Sequence, residues 1–344
     1  MIKTAIIGAG LIGRKRAEAL TSCGQGGCLV AVCDADPGRA AELAAATGAG
    51  AFDDWRKVLD IPGLEAVIVA APNKFNPEIA AAALDRGCHV LCEKPLGRNA
   101  AEAESLCLRA SDRSRILKTG FNLRHHPAVR QARALVGEGG LGPLYHILGR
   151  YGHGGRPGYE NEWRADPEVA GGGVLLDQGV HLIDLCRWFL GEIAEAFGQV
   201  WTSFWPMAVE DNALMLLRSE GGPKASLFVS WTQWKNMFRF EVHGEKGYLF
   251  IDGLGGSYGT ERLVRGARPP DAKLPGRFAG GAPVEEVEEY QGPDDSWDEE
   301  WKEFTGAIRE GRDPLGSGFD GWQANKIIDA VYRSARMNSF VPIS

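Results

Sequence analysis

Asp177 and His181 stand four residues apart in the stretch GGGVLLDQGVHLIDLCRW (171–188), and Asp184 follows three residues later. Those spacings put the three side chains on one stripe of an α-helix. Val174, Leu175, Leu176, Val180, Leu182, Ile183 and Leu185 around them have the rhythm of a helix built for packing. A carboxylate beside an imidazole fixes its tautomer and steadies its protonated form, so Asp177–His181 reads as an acid–base unit. A core histidine satisfied by its neighbours is the plainer alternative. Three features favour chemistry: the close backbone approach that GGG (171–173) permits, the charged WRADP (163–167) just upstream, and a lysine elsewhere in the chain. Asp184 is expected to pair structurally rather than react.

That lysine is Lys94, in CEKPLG (92–97). The segment ends a strand of a parallel sheet, and ligands in such sheets bind beyond the carboxyl ends of the strands. Glu93 and Lys94 therefore point at the cleft, where the lysine can stabilise a developing alkoxide. Pro95 restricts Lys94, and the bond between them is a candidate for the cis form. GAGLIG (8–13) has the G-x-G-x-x-G pattern between a strand and a helix, which is the context a dinucleotide needs. Gly8 permits the tight turn, Gly10 the approach of a pyrophosphate, and Gly13 close packing of helix on strand, with Leu11 and Ile12 between them. Asp34, at the end of the second strand, is placed for the ribose hydroxyls. It favours NAD over NADP, although Arg39 nearby softens that preference.

The elements that must position these groups come in two rhythms. Through residue 122, strands (4–8, 29–34, 66–72, 89–95, 116–122) alternate with helices (11–22, 37–48, 53–60, 76–87, 99–113). Repeated βα units imply a doubly wound parallel sheet. Beyond it come a helix at 127–137 and strands at 144–151, 195–204, 211–219, 225–234, 238–244 and 247–253, several alternating apolar and polar residues as an antiparallel sheet does. A long Gly- and Pro-rich loop is expected over 253–283, then a solvated acidic run (285–300), then helices at 297–310 and 320–336. The division is 1–122 for a dinucleotide-binding Rossmann domain and 123–344 for an α+β domain, the last helix packing back on the first.

Bulk properties exclude some functions. The 344 residues suit two domains, and 44% hydrophobic with 24% charged residues is the balance of a globular protein. A net charge of −7 carries no footprint for nucleic acid and no polybasic membrane patch. The start, MIKTAIIGAG, enters a strand without the order of a secretory leader. The seven cysteines include no CxxC pair, and CHVLC (88–92) reads as a buried strand, so no metal is expected and reduced thiols in a cytoplasm are the simple reading.

The chain resembles the glucose–fructose oxidoreductase, inositol dehydrogenase and rhizopine-catabolism family (Gfo/Idh/MocA). The likeness rests on GAGLIG (8–13), APN (71–73), EKP (93–95), GFNLRHHP (120–127) and WRADPEVAGGGVLLDQGVHLIDL (163–185), in that order. It implies a Rossmann domain followed by an α+β domain with a large, open, mostly antiparallel sheet, through which a homodimer or homotetramer forms. It implies NAD-dependent oxidation of a secondary alcohol of a sugar, sugar derivative or cyclitol, or the reverse. By the same resemblance Lys94 assists the reacting hydroxyl, His181 is the acid–base, and Asp177 binds substrate and tunes His181. Ala71, Pro72, Asn73, Glu93 and Arg164 fall on the cofactor side, and Asn122, Arg124 and Trp163 on the substrate side. APNKFN departs from the family pattern, with Asn76 where His is usual and Ala71 for Thr. The loop GHGGRPGYENEW (152–163), Trp231, Trp234 and Lys235 are candidate walls for a sugar ring, and Arg156 or Lys235 for a phosphate. Three other readings stay open: an NAD-dependent glycosidase, a nucleotide-sugar dehydrogenase or reductase, and a non-catalytic dinucleotide-sensing regulator.

Overall fold

The computed structural model describes residues 1–22, 27–268 and 284–343. Its first half alternates as its sequence rhythm requires: β1 (Ile2–Ile7), α1 (Leu11–Ser22), β2 (Gly27–Cys33), α2 (Pro37–Thr47), β3 (Gly50–Phe52), α3 (Trp55–Leu59), β4 (Ala66–Val69), α4 (Asn76–Asp85), β5 (His89–Cys92), α5 (Ala100–Asp112) and β6 (Leu117–Thr119). The strands pair in parallel in the order β3-β2-β1-β4-β5-β6, so the chain reverses direction across the sheet between β1 and β4. That switch point opens a crevice at the carboxyl ends of the strands. Every residue of β4 is buried, as expected where helices cover both faces. The Lys94–Pro95 peptide just past β5 is cis.

The second half contains α6 (Pro127–Gly137), β7 (Leu144–Gly152), a short α7 (Pro167–Ala170), a π turn (Leu175–Gly179) running into α8 (Val180–Leu190), and β8 (Ile193–Trp201). Then come β9 (Asn212–Ser219), β10 (Lys224–Ser230), β11 (Met237–Gly244), β12 (Gly247–Asp252), β13 (Glu261–Ala267), β14 (Glu285–Tyr290), α9 (Ser296–Glu310), α10 (Gly318–Met337) and β15 (Val341–Pro342). Nine strands form one sheet in the order β14-β13-β12-β11-β7-β10-β9-β8-β15, antiparallel except where β7 meets β10. In β9 the side chains alternate strictly, Ala213, Met215 and Leu217 inward and Leu214, Leu216 and Arg218 outward. The inward face packs on α8 and α10 in one core. α9 packs on α1, and α10 touches both α5 and β8, so the chain's last two helices span both sheets.

Two expectations need correction. The stretch 253–283 is not all loop, because ERLVRGA forms β13. The start of the acidic run is an edge strand, β14, whose EEVEEY faces solvent on both sides. Glu289 and Glu286 lie opposite Arg262 and Arg265 of β13, so charge rather than an apolar face joins the pair. Cys23 and the 269–283 part of the expected loop lie outside the described residues. Among the described residues no helix is long and apolar enough to cross a membrane.

Candidate active site

The loop between β1 and α1 is shaped by what its glycines exclude. Gly8 has φ 105°, and a Cβ there would lie 2.3 Å from the Ala70 carbonyl oxygen. A Cβ on Gly13 would lie 1.8 Å from the Gly8 carbonyl oxygen, so only glycine lets α1 settle on the loop. At Gly10 a Cβ would meet nothing within 4 Å, which leaves that face of the loop open. Leu11 at the helix start is 68% exposed, and Ile12 is half-buried. Asp34 is held beside the loop, its carboxylate accepting from the Ala9 amide at 2.7 Å and the Asp36 amide at 2.9 Å. An open backbone face, the free N–H groups of a helix start and a fixed carboxylate together fit a dinucleotide, the amides for the pyrophosphate and Asp34 for a ribose. Arg39 turns away to Asp36 at 3.3 Å and is exposed.

Past β4, the departure at Asn76 has a structural account. Asn76 is fully buried, and its Oδ1 accepts from the Ala71 amide at 3.1 Å, closing the turn. Pro72 accepts from the Phe75 amide in that turn. Asn73 donates through Nδ2 to the Ala170 carbonyl at 2.8 Å, and the Lys74 amide donates to Val169 at 3.0 Å. Asn73 thus ties the cofactor edge of the first sheet to the segment that precedes GGG.

Lys94 lies just beyond β5 and reaches across to the π turn. Its Nζ donates to the Asp177 carbonyl at 2.7 Å and to Asp177 Oδ1 at 2.8 Å. Lys94 and His181 line one cavity of about 150 Å³ together with Ile12, Glu93 and Asn122. His181 is buried, with Phe121 and Tyr151 edge-on to its ring at 6.2 and 6.0 Å. Burial, then the nearby Lys94 charge, push its pKa well below the usual histidine value, so the ring is neutral near pH 7. Burial alone would raise the Asp177 carboxyl, but Lys94 and Arg164 outweigh it and hold the group well below the usual carboxylate range. Arg164 sits over the Trp163 ring at 4.5 Å and is 3.5 Å from Glu162.

Several expected placements change. Asp177 is spent on Lys94, and His181 Nδ1 is buried with no hydrogen-bond partner, so the two do not form the expected hydrogen-bonded pair. Asp177 lies in the π turn Leu175–Gly179, and its carbonyl and carboxylate both accept from Lys94. Arg124 is not free for substrate. It makes a bidentate bond to Asp184, at 2.8 and 2.6 Å, and also meets Asp320, all inside the core. Asp184 is therefore the structural ion-pair partner its position suggested. Glu93 reaches the cavity wall, but its carboxylate accepts from Arg16 at 2.7 Å, and Arg16 also binds Glu300 at 2.6 Å. Asn122 donates to Ser296 at 3.3 Å. Trp231 is fully buried packing rather than a wall, Arg156 is paired with Glu162, and Trp234 and Lys235 are exposed. The cavity also takes His126 of the GFNLRHHP motif, and Tyr151, Tyr258, Asp294 and Trp297, which the sequence did not single out. They lie on separate elements, and only the second sheet and α9 bring them together.

Residues 2–121 match the oxidoreductase family with an NAD-binding Rossmann fold, and residues 129–250 match the GFO/IDH/MocA C-terminal domain. The chain belongs to the Gfo/Idh/MocA family. This Gfo/Idh/MocA protein is an NAD-binding oxidoreductase. It is 28% identical to levoglucosan dehydrogenase of Pseudarthrobacter phenanthrenivorans, over 91% of this chain and 88% of that protein. It is also 28% identical to inositol 2-dehydrogenase 3 of Saccharopolyspora erythraea, over 100% and 96% of the two chains. A solved levoglucosan dehydrogenase in complex with NADH and L-sorbose superposes with a TM-score of 0.89 at 25% identity, covering 100% of this chain and 99% of the other.

Proposed function

We propose that this Gfo/Idh/MocA protein is an NAD-dependent dehydrogenase acting on a secondary alcohol of a sugar, sugar derivative or cyclitol, with His181 as the acid–base and Lys94 assisting. The observation that carries the reading is the double anchoring of Lys94 by Asp177 at a cavity whose wall includes a neutral, buried His181. An ammonium has three N–H donors, and two are taken by Asp177, which leaves one for a substrate oxygen. That bond draws charge onto the oxygen and eases loss of its proton. A neutral imidazole is the form that accepts the proton. Bound NAD supplies the hydride acceptor, and the protein supplies alignment and charge. Asp34 favours NAD over NADP because a 2′-phosphate would meet a carboxylate already fixed in place. The names of the relatives, one acting on levoglucosan and one on inositol, agree with a polyhydroxylated substrate.

The test is absorbance at the NADH band against free, phosphorylated and nucleotide-linked sugars and inositols, with NAD and NADP compared. Turnover with NAD is expected, and Lys94→Ala and His181→Ala each lower kcat by about 100-fold or more while the fold persists. Near-normal turnover in either variant removes that residue from the mechanism. Release of an aglycone without net NADH would favour the glycosidase reading instead.

We also propose a homodimer or homotetramer through the outer face of the nine-stranded sheet. Leu148, Leu214, Leu216 and Trp201 on that face are each 36–40% exposed, an apolar strip more suited to a partner than to water. The six described cysteines are free, which suits a reducing cytoplasm.

A further inference from the structure

The helix that carries Asp177 and His181 begins against an acid that the mechanism does not use. Glu210 lies just before β9 and is 9% exposed. Its Oε1 accepts from the Gly173 amide at 3.0 Å, the Leu175 amide at 3.1 Å and the Tyr332 hydroxyl of α10 at 2.8 Å. Its backbone carbonyl accepts from the Val174 amide at 3.0 Å. Three successive amides at the start of the helix, which would otherwise lack partners, therefore go to this one residue. The glycines admit it: a Cβ on Gly173 would lie 2.0 Å from the Glu210 carbonyl, and one on Gly172 would lie 2.2 Å from the Tyr332 hydroxyl. The turn that follows immediately is the π turn, Leu175–Gly179.

We propose that Glu210, braced by Tyr332, is a positioning residue that clamps the 173–175 backbone and so holds Asp177, two residues on, against Lys94 and away from His181. The clamp rests on the reading of Lys94 and His181 given above. π turns inside helices are frequent at functional sites. Here Lys94 is anchored by both the carbonyl and the carboxylate of Asp177, and His181 Nδ1 has no partner. A burial-satisfied Glu210 would serve stability alone if the placement of Asp177 did not depend on it. The consequence of that placement is a choice of partner for Asp177. The charged and titratable groups that bear on His181 are Lys94 beyond β5, Asp177 on the π turn, Glu300 on α9, and His126 ahead of α6, with Tyr151 of β7 against its ring. Of these, Asp177 is the one the clamp controls.

The experiment compares wild type, Glu210→Ala, Glu210→Gln and Tyr332→Phe by amide hydrogen exchange and by the pH profile of kcat/KM. In Glu210→Ala, exchange at 173–181 is expected to rise while NADH affinity and the exchange of β1–β6 stay as in wild type. Release of Asp177 toward His181 favours the imidazolium, so the acidic limb moves to higher pH, and kcat/KM falls by about 10- to 100-fold. Glu210→Gln keeps a carbonyl oxygen as acceptor and recovers most of the activity and the wild-type limb, and Tyr332→Phe shows a smaller change of the same sign. Unchanged exchange at 173–181 in Glu210→Ala overturns the clamp. Raised exchange with an unmoved acidic limb also overturns it, because the acid is then structural only. If Glu210→Ala does not fold, the other two variants carry both readouts. His181→Gln separates the underlying reading from the clamp: if it retains wild-type turnover and the same limb, the assignment of His181 fails whatever Glu210 does.

Discussion

At the scale of single residues, the role proposed for His181 fixes an expected pH behaviour. Burial and the Lys94 charge lower its pKa below the ordinary 6.5. The base-competent form is the neutral ring, and it is depleted only as pH falls through that lowered value. Oxidation is therefore expected to be flat through neutrality and to lose kcat/KM on the acid side below pH 6.5. A limb centred above 6.5 in the wild-type profile would sink the assignment of His181 as base. Gly13 offers a second test. A methyl group there would lie 1.8 Å from the Gly8 carbonyl oxygen, so Gly13→Ala must push α1 off its loop. NADH binding, followed by fluorescence titration, is expected to be lost or greatly weakened. Wild-type affinity in this variant would mean that the loop does not need the close approach.

At the scale of elements, the buried ion pairs tie the site's supports together. Arg124, in the short 3-10 turn Asn122–His125, binds Asp184 of α8 and Asp320 of α10. Arg124→Ala removes the bidentate partner of buried Asp184, which costs roughly 3–5 kcal/mol. Chemical denaturation should show that loss, while KM for the substrate stays unchanged in the folded fraction. A selective rise in KM with unchanged stability would return Arg124 to the substrate side. Most elements were legible from periodicity, α6 and α1 to the residue. β13 was not, since glycines crowd the residues before it. β14 was not either, because EEVEEY has no apolar face to alternate and pairs through charge with the arginines opposite.

At the scale of the whole molecule, the two sheets divide the labour. The first presents strand ends to the cofactor, and the second brings Tyr151 and Tyr258 toward the cavity while leaving its other face open. If that face joins copies of the chain, Leu214→Lys with Leu216→Lys places charges in the interface, opposite Phe228 and Ser226 of β10. Sedimentation is then expected to show a smaller species than wild type. An unchanged mass would place the contact elsewhere or remove it.

The sequence by itself determined the glycine loop, the carboxylate at Asp34 and the lysine at the end of β5. Each follows from local geometry: a positive φ, a helix start, a strand end in a parallel sheet. It also placed Asp177 and His181 on one helical segment. What it did not determine was whom Asp177 faces. That depends on where the fold brings Lys94, 83 positions away, and on a helix start held by Glu210, 37 and 35 positions from the amides of Gly173 and Leu175 that it caps. Side-chain spacing places two groups on one face of a helix, but a lysine distant in sequence competes for the carboxylate, and only the fold brings that lysine to it.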